Sequence, residues 1–299
     1  MTIVRHLTRF LDRPGGRRIL GLLATWHAKL LSGFDMEVFF DEVWLHHVEN
    51  QYWATSVDFN YYSDSARKWS NRTKLRHESA KDWWFHHYQP QPGDVIVDIG
   101  AGLGEHIPTF SKSVGPKGSV LAVEAHPDTY TMLERTVSWN RFSNVSCIHK
   151  AIMGETGQVF ITTSDRYISN VVQMRAEDNP NVLPVDGVPL DEICQERNID
   201  RIDLIKMNIE GAECDAMRGM QKALRNTRFV CIACHDFRAD RGDGEEFRTK
   251  AIVADFLRDH GFHVSARDDD SRQFVRDHLY GWNRMLVKNV GESHDGAFV

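Results

Sequence analysis

No apolar run in this 299-residue chain is long enough to cross a bilayer. The best stretch, Ile19 to Leu31, is interrupted by His27 and Lys29. It resembles a signal h-region only loosely, because no small-residue cleavage pattern follows it. Cysteine is scarce and odd in number: Cys147, Cys194, Cys214, Cys231 and Cys234. With no export signal, this predicts free thiols and excludes a disulfide framework. Charge of one sign is also lacking. No general affinity for nucleic acid follows from a net charge of −6. There is no internal repeat and no low-complexity segment. The expectation is a cytoplasmic protein.

The length suffices for one full α/β domain and an accessory region. Residues 1–34 hold Arg5, Arg9, Arg13, Arg17, Arg18 and Lys29 against Asp12 alone. The first reading of this segment is a helix packed on the main domain or on a second subunit. The second is a basic amphipathic helix lying on a membrane surface. Residues 1–90 contain six of the eight tryptophans and seven of the fifteen histidines, too aromatic for a disordered arm. They are expected to form a helical, aromatic-rich cap. The cluster Pro90-Gln91-Pro92-Gly93 marks the boundary.

Beyond it, strand and helix patterns alternate. Strands are expected at Asp94–Ile99, Ser119–Val123, Val145–His149, Ile202–Met207, Phe229–Ala233, His263–Ala266 and Asn283–Val287, with an extra one at Gln158–Thr162. Helices are expected at Ser65–Tyr88, His106–Ser113, Asp128–Asn140, Leu190–Glu196, Ala212–Leu224 and Glu245–His260. This order implies an α/β fold with a mainly parallel sheet covered on both faces. The main domain spans 91–289, and 290–299 reads as a flexible tail.

The first chemical signal is Val97-Asp98-Ile99-Gly100-Ala101-Gly102-Leu103-Gly104-Glu105-His106. A strand running through a glycine turn into a helix brings bare backbone N–H groups up to a ligand. A dinucleotide fingerprint wants G-x-G-x-x-G. Here the third glycine comes one residue early, and Glu105 sits where that fingerprint needs glycine. Asp98, two residues before the first glycine, would crowd a pyrophosphate with like charge. It suits a ligand with cationic parts. That disfavours an NAD-dependent dehydrogenase and favours S-adenosylmethionine (SAM), which carries a sulfonium and an amino group.

A second acid, Glu124, closes the next strand in Val120-Leu121-Ala122-Val123-Glu124-Ala125-His126-Pro127, 20 residues after Gly104. In a strand-loop-helix-strand unit this places a carboxylate beside a ribose. The alternative is a helix-start acid before Pro127. The third signal is Asp203-Leu204-Ile205-Lys206-Met207-Asn208-Ile209-Glu210-Gly211-Ala212-Glu213, an apolar strand turning through glycine into a helix at the ligand-binding sheet edge.

Together these segments resemble the FkbM-type family of SAM-dependent methyltransferases, over roughly Pro92 to Val287. The resemblance rests on VDIGAGLGEH, VEAHP and IKMNIEGAE, the last led by VPLDEI. It implies a Rossmann-like class I core with a seven-stranded sheet. It further implies methyl transfer from SAM to a hydroxyl of a small molecule, sugar or natural-product intermediate. Expected cofactor contacts are Asp98, Gly100, Ala101, Gly102, Gly104, His106, Glu124 and Ala125. In one respect the chain departs from the family, which usually has aspartate where Asn208 stands. Asparagine cannot act as a general base and is a weaker metal ligand.

The candidate bases lie at the same sheet edge. His235, which titrates near neutrality, is the first and Glu210 the second. The bland alternatives are a loop-ordering histidine and a helix-start acid. Lys206 is expected to anchor acceptor or cofactor charge. Tyr61, Tyr62 and Asp236 are candidate substrate contacts. Cys231-Ile232-Ala233-Cys234-His235 matches a haem-attachment pattern, but strand residues three apart face opposite sides. No second cysteine pair supports zinc. A divalent metal held by Asn208, Glu210, His235 and Asp236 is a secondary possibility. The paired histidines His46-His47 and His86-His87 read as packing or as a pocket wall. Two rival functions remain open: N-methylation of an amine or side-chain amide on the same fold, and a non-catalytic SAM-binding or interaction protein. A homo-oligomer is possible.

Overall fold

The computed structural model describes residues 2–31, 33–59, 65–163, 172–173 and 182–287. Tyr61, Tyr62 and the tail from 290 onward lie outside the described residues. The central sheet is built from β4 (Val95–Ile99), β5 (Ser119–Glu124), β6 (Val145–His149), β11 (Ile202–Met207), β12 (Thr227–Ala233), β13 (Phe262–Ala266) and β14 (His278–Asn283). Their spatial order is β13-β14-β12-β11-β4-β5-β6. The strands β12, β11, β4, β5 and β6 run parallel, and β14 lies antiparallel between β12 and β13. The chain reverses its strand order between β4 and β11, so the carboxyl ends of those strands open a crevice.

Burial on both faces explains why these strands do not alternate apolar and polar. All six residues of β11 are buried. One face packs Val97, Ile99, Ile205 and Ile232 under α6 (Leu190–Arg197), α7 (Glu213–Arg218), α8 (Gln221–Arg225) and α10 (Lys250–Asp259). The short α9 (Asp236–Asp240) follows β12 at the carboxyl edge. The other face packs Ile96, Ala122, Leu204 and Phe229 under α4 (Ile107–Val114) and the segment Ala80–Tyr88. Cys231 lies in the second core and Cys234 in the first, on opposite faces of the sheet. All five cysteines are free.

The last strand falls earlier than Asn283–Val287. His278, Gly281 and Asn283 interrupt the apolar pattern of the true strand. Met285 and Leu286, which made the later segment read as strand, are exposed. A Cβ at Gly281 would be tight, lying 3.0 Å from Val230 Cγ2 and 3.1 Å from the His263 carbonyl oxygen.

A second sheet, order β7-β10-β8-β9, leaves the carboxyl end of β6. It comprises β7 (Ala151–Ile152), β8 (Gly157–Thr162), β9 (Val172–Gln173) and β10 (Val182–Val188). Only β8 was expected.

The N-terminal region is not all helical. The helices α1 (Thr2–Leu11) and α2 (Arg17–Trp26), the latter prolonged by a π turn at His27–Leu31, precede an antiparallel meander. The meander is β1 (Met36–Asp41), β2 (Val43–Val48) and β3 (Gln51–Ser56). Tight turns caused the misreading: Glu42, Glu49 and Asn50 all adopt positive φ without a glycine to announce it. This unit docks on α5 (Pro127–Trp139), the helix between β5 and β6. Asn140 clamps it, its Oδ1 accepting from the Tyr52 N–H at 3.0 Å and its Nδ2 donating to the Tyr52 carbonyl at 2.7 Å. Then α3 (Ser65–Ser79) and a π turn (Ala80–Trp84) lead into the core. Among the described residues, no helix is long and apolar enough to cross a membrane.

Candidate functional site

A cleft opens at the carboxyl edge where β4, β5 and β11 end. It is lined by Gly100, Gly102, Val123, Glu124, Ala125, Thr129, Lys150, Ile152, Ile161, Asn208, Ile209 and Glu210, among others. The cleft and the open solvent at its mouth together take up about 740 Å³.

The glycine loop forms its floor. Gly100 has φ +72°, and a Cβ there would come within 2.0 Å of the Asn208 carbonyl oxygen. Only glycine lets the loop lie against the end of β11. At Gly102 a Cβ would meet no protein atom within 4 Å, so the bare backbone faces open space. Gly104 serves another purpose. Its missing side chain admits Leu133 and Thr136 of α5, which would each crowd a Cβ there at 3.2 Å.

Glu124 closes the site from β5. Its Oε2 accepts from the Gly102 N–H and its Oε1 from the His126 N–H, both at 2.9 Å. Burial raises its pKa, while those two backbone donors and the Lys206 charge pull it down. Each oxygen keeps a further lone pair for a ligand hydroxyl.

The expected cofactor residues therefore divide. Gly100, Gly102, Glu124 and Ala125 border the cleft; Asp98, Ala101, Gly104 and His106 do not. Asp98 is buried, and its Oδ1 lies 2.7 Å from Lys206 Nζ. Burial raises the Asp98 pKa and the Lys206 charge opposes the rise. The cation that the early acid required is thus supplied by the chain itself. Lys206 also donates to the Gly100 carbonyl at 2.7 Å and sits over the Trp84 ring. It fixes the loop and is not among the residues that line the cleft. His106 is half-buried, with Nδ1 accepting from Trp84 Nε1 and Nε2 facing Ser79 Oγ.

The catalytic candidates divide as well. Asn208 and Glu210 line the cleft; His235 and Lys206 stand behind it. Asn208 Oδ1 is buried and has no hydrogen-bond donor among the described residues. A buried acceptor aimed at a cleft without a donor is what a ligand N–H or O–H would satisfy. Glu210 adopts φ +54° at the turn into α7. Its Oε2 accepts from Arg238 at 2.8 Å, and its Oε1 lies 3.2 Å from His235 Nε2.

His235 is clamped on both sides, with Nδ1 2.9 Å from Glu213 Oε1. Burial alone would depress its pKa. The Glu213 charge and hydrogen bonds to Glu210 and Glu213 outweigh burial and raise it to about 10. At neutral pH it is an imidazolium with both protons committed, which argues against its expected role as base. Glu213 is held low: burial would raise it, but the His235 charge and hydrogen bonds lower it further. Asp236 Oδ1 accepts from the Thr249 and Lys250 N–H groups, capping α10 outside the cleft. Of the four residues considered for a metal, Glu210 and His235 thus pair with each other and Asp236 holds the start of α10. Among the described residues no group of three His, Cys, Asp or Glu is placed to hold an ion. His86 and His87 pack against Tyr280, and His46 is buried.

Sequence reasoning missed the β6–β8 wall (Lys150, Ala151, Ile152 and Ile161) and also Thr129, Glu213 and Arg238. Glu213 stood inside the third motif, but its partner lies on a different strand end. The apolar wall residues carry no pattern that separates a pocket from a core.

The family model "Methyltransferase FkbM domain" matches residues 98–264. Among curated proteins, the chain is 23% identical over 147 residues to "Hexuronic acid methyltransferase AglP" of Haloferax volcanii, covering 49% of this chain and 58% of that protein. It is 25% identical over 158 residues to "2-O-methyltransferase NoeI" of Sinorhizobium fredii, covering 47% of this chain and 63% of that protein. The chain thus spans about three fifths of the length of these relatives. A solved structure, methyltransferase FkbM from Methylobacillus flagellatus, aligns at 18% identity and a TM-score of 0.42, covering 64% of this chain and 44% of that one. The family match takes in the glycine loop, Glu124, the Asn208–Glu213 turn and His235, more than half of the chain, and the chain belongs to the FkbM family of methyltransferases.

Proposed function

We propose that this protein transfers a methyl group from SAM to a hydroxyl of a sugar or similar small polar molecule. The observation that carries the proposal is the cleft itself. Bare loop backbone and a buried carboxylate lie on one side, and the unsatisfied Asn208 Oδ1 and Glu210 on the other. Two of the relatives are, by name, a hexuronic acid methyltransferase and a 2-O-methyltransferase.

SAM, when bound, supplies an electrophilic methyl on a sulfonium. The chain's residues do the rest. Glu124 accepts from ribose hydroxyls with its free lone pairs. The Gly100–Gly102 backbone admits the ligand without side-chain obstruction. Asn208 Oδ1 accepts one ligand donor and fixes orientation, and alignment of this kind can supply up to about 7–11 kcal/mol of barrier reduction. Glu210 accepts the hydrogen of the acceptor hydroxyl and takes its proton as the methyl moves from sulfur to oxygen, which leaves neutral S-adenosylhomocysteine. Arg238 and His235 hold its carboxylate in place.

The deciding experiment incubates the purified protein with SAM and a panel of uronic acids, neutral sugars and amines. S-adenosylhomocysteine release and the methyl carbon shift of the product are then measured. An O-methylated sugar supports the proposal. An N-methylated amine as the preferred product rejects it, and SAM binding with no release for any acceptor points to a non-catalytic binding protein.

The cofactor half has its own check. Glu124→Ala removes two charge-assisted acceptors, each worth about 1.5–3 kcal/mol, so calorimetry should show SAM affinity falling roughly 100-fold or more. An unchanged affinity would remove Glu124 from the ribose.

A further inference from the structure

The first two helices carry two apolar faces where one would suffice. Leu20, Ala24 and Ala28 are buried against Met36, Val38 and Trp44 of the N-terminal meander. That accounts for one side of α2 and its π turn. On the other side Ile19, Leu22, Leu23, Trp26 and Leu30 recur at helical spacing, and each is more than half exposed. Leu7 and Phe10 of α1, which packs beside α2, add to the same exposed set at 56% and 65%. Singly exposed leucines need no explanation, but seven large apolar side chains on two adjoining short helices do.

The charge around this face is one-sided. Arg9, Arg13 and Arg18 are exposed beside it. Arg17 is tied to Asp12 at 3.0 Å, and Lys29 is tied to Asp35 and Glu37. Asp35 and Glu37 are thus the neighbouring exposed acids, and they lie at the far end of the patch. Residues 1–34 hold six basic residues against one acidic residue in a chain whose net charge is −6. The cationic charge is concentrated where the apolar side chains are. A second copy pressed face to face would set Arg9, Arg13 and Arg18 against their own counterparts. An anionic lipid surface would neutralise them, while Leu22, Leu23, Trp26 and Leu30 entered the headgroup–acyl boundary.

We propose that α1 and α2 form a docking surface for an anionic phospholipid bilayer, on which the enzyme lies without spanning it. The unit sits on the outer flank of α5, held by Asn140, so docking leaves the cleft's own residues untouched. It does not depend on the identity of the methyl acceptor.

The test is co-sedimentation of the full chain with two kinds of vesicle, pure phosphatidylcholine and phosphatidylcholine with phosphatidylglycerol. Binding is expected to the anionic vesicles only, and to weaken as salt is raised. The triple variant Arg9→Gln/Arg13→Gln/Arg18→Gln removes exposed charges alone, and SAM affinity reports that it remains folded. At about 1 kcal/mol per basic residue near the surface, its vesicle affinity should fall on the order of 100-fold. Leu22→Glu/Trp26→Glu should abolish binding at any salt. Wild-type protein that stays in the supernatant with anionic vesicles overturns the proposal. If light scattering then shows a dimer that Leu22→Glu/Trp26→Glu splits, the face belongs to a second copy. Equal binding by the triple arginine variant also overturns it.

Discussion

Glu210→Gln should lower kcat for methyl transfer to a hydroxyl by about 10²–10⁴-fold, the usual contribution of a positioned base, and leave SAM affinity nearly unchanged. A hydroxyl is a poor nucleophile until its proton leaves, and of the candidate bases only Glu210 borders the cleft. Arg238 and His235 present N–H donors to its two oxygens. They hold the carboxylate in one orientation, with lone pairs left for the acceptor. Glutamine keeps the size and one acceptor oxygen but cannot take a proton. Its amide nitrogen would also face a cation. A structural role for Glu210 predicts a different pattern: a lowered melting temperature and weakened SAM binding, with kcat per folded molecule preserved. The comparison therefore reads kcat, SAM affinity and melting temperature on the same preparation. If kcat survives with a hydroxyl acceptor, proton removal by Glu210 is excluded. If it survives only with an amine acceptor, N-methylation is the chemistry.

What could be read before the structure follows a physical divide. The β4, β5 and β11 strands were legible because a sheet buried on both faces leaves continuous apolar runs, and each run ended in a glycine, an acid or a polar turn. The place of Gly100, Gly102 and Glu124 at the cleft was legible because a strand-loop-helix-strand unit fixes where a glycine turn and the acid ending the next strand must lie. Asp98 and Lys206 were not. Each alone looks like a ligand contact, and only the β4–β11 register, which sets Lys206 beside Asp98, makes them a pair. His235 failed for the same reason. Its ordinary pKa suits a base, but Glu210 and Glu213 come from the β11–α7 turn, two carboxylates brought to one imidazole by tertiary structure. The N-terminal meander escaped because its turns use Glu42, Glu49 and Asn50 where glycine would have been a signal. The second sheet wall escaped because Ile152 and Ile161 look the same whether they line a cleft or fill a core.

His235→Gln should destabilise the fold by about 3–5 kcal/mol, because removing one partner leaves a buried charge uncompensated. The charge left behind would be Glu213, which is fully buried and otherwise keeps backbone N–H donors and the Thr249 hydroxyl. At roughly 2–4 °C per kcal/mol for a domain of this size, the melting temperature should drop by about 6–20 °C. The pH dependence gives an independent readout. His235 is raised in the folded state to about 10, so its stabilisation is complete below the unfolded value near 6.5 and is lost as pH rises toward 10. Glu213 is lowered, so its contribution is present above the unfolded value near 4.5 and is lost as pH falls below it. Wild-type melting temperature should therefore be highest between these limits and decline from about pH 7 to pH 10. The variant should lack that alkaline decline. The double variant His235→Leu/Glu213→Leu, which removes both charges, should recover much of the loss. A catalytic base predicts the reverse, with kcat collapsing in His235→Gln at an unchanged melting temperature. A wild-type melting curve flat from pH 7 to 10 would show that the imidazole is neutral and return His235 to candidacy as the proton acceptor.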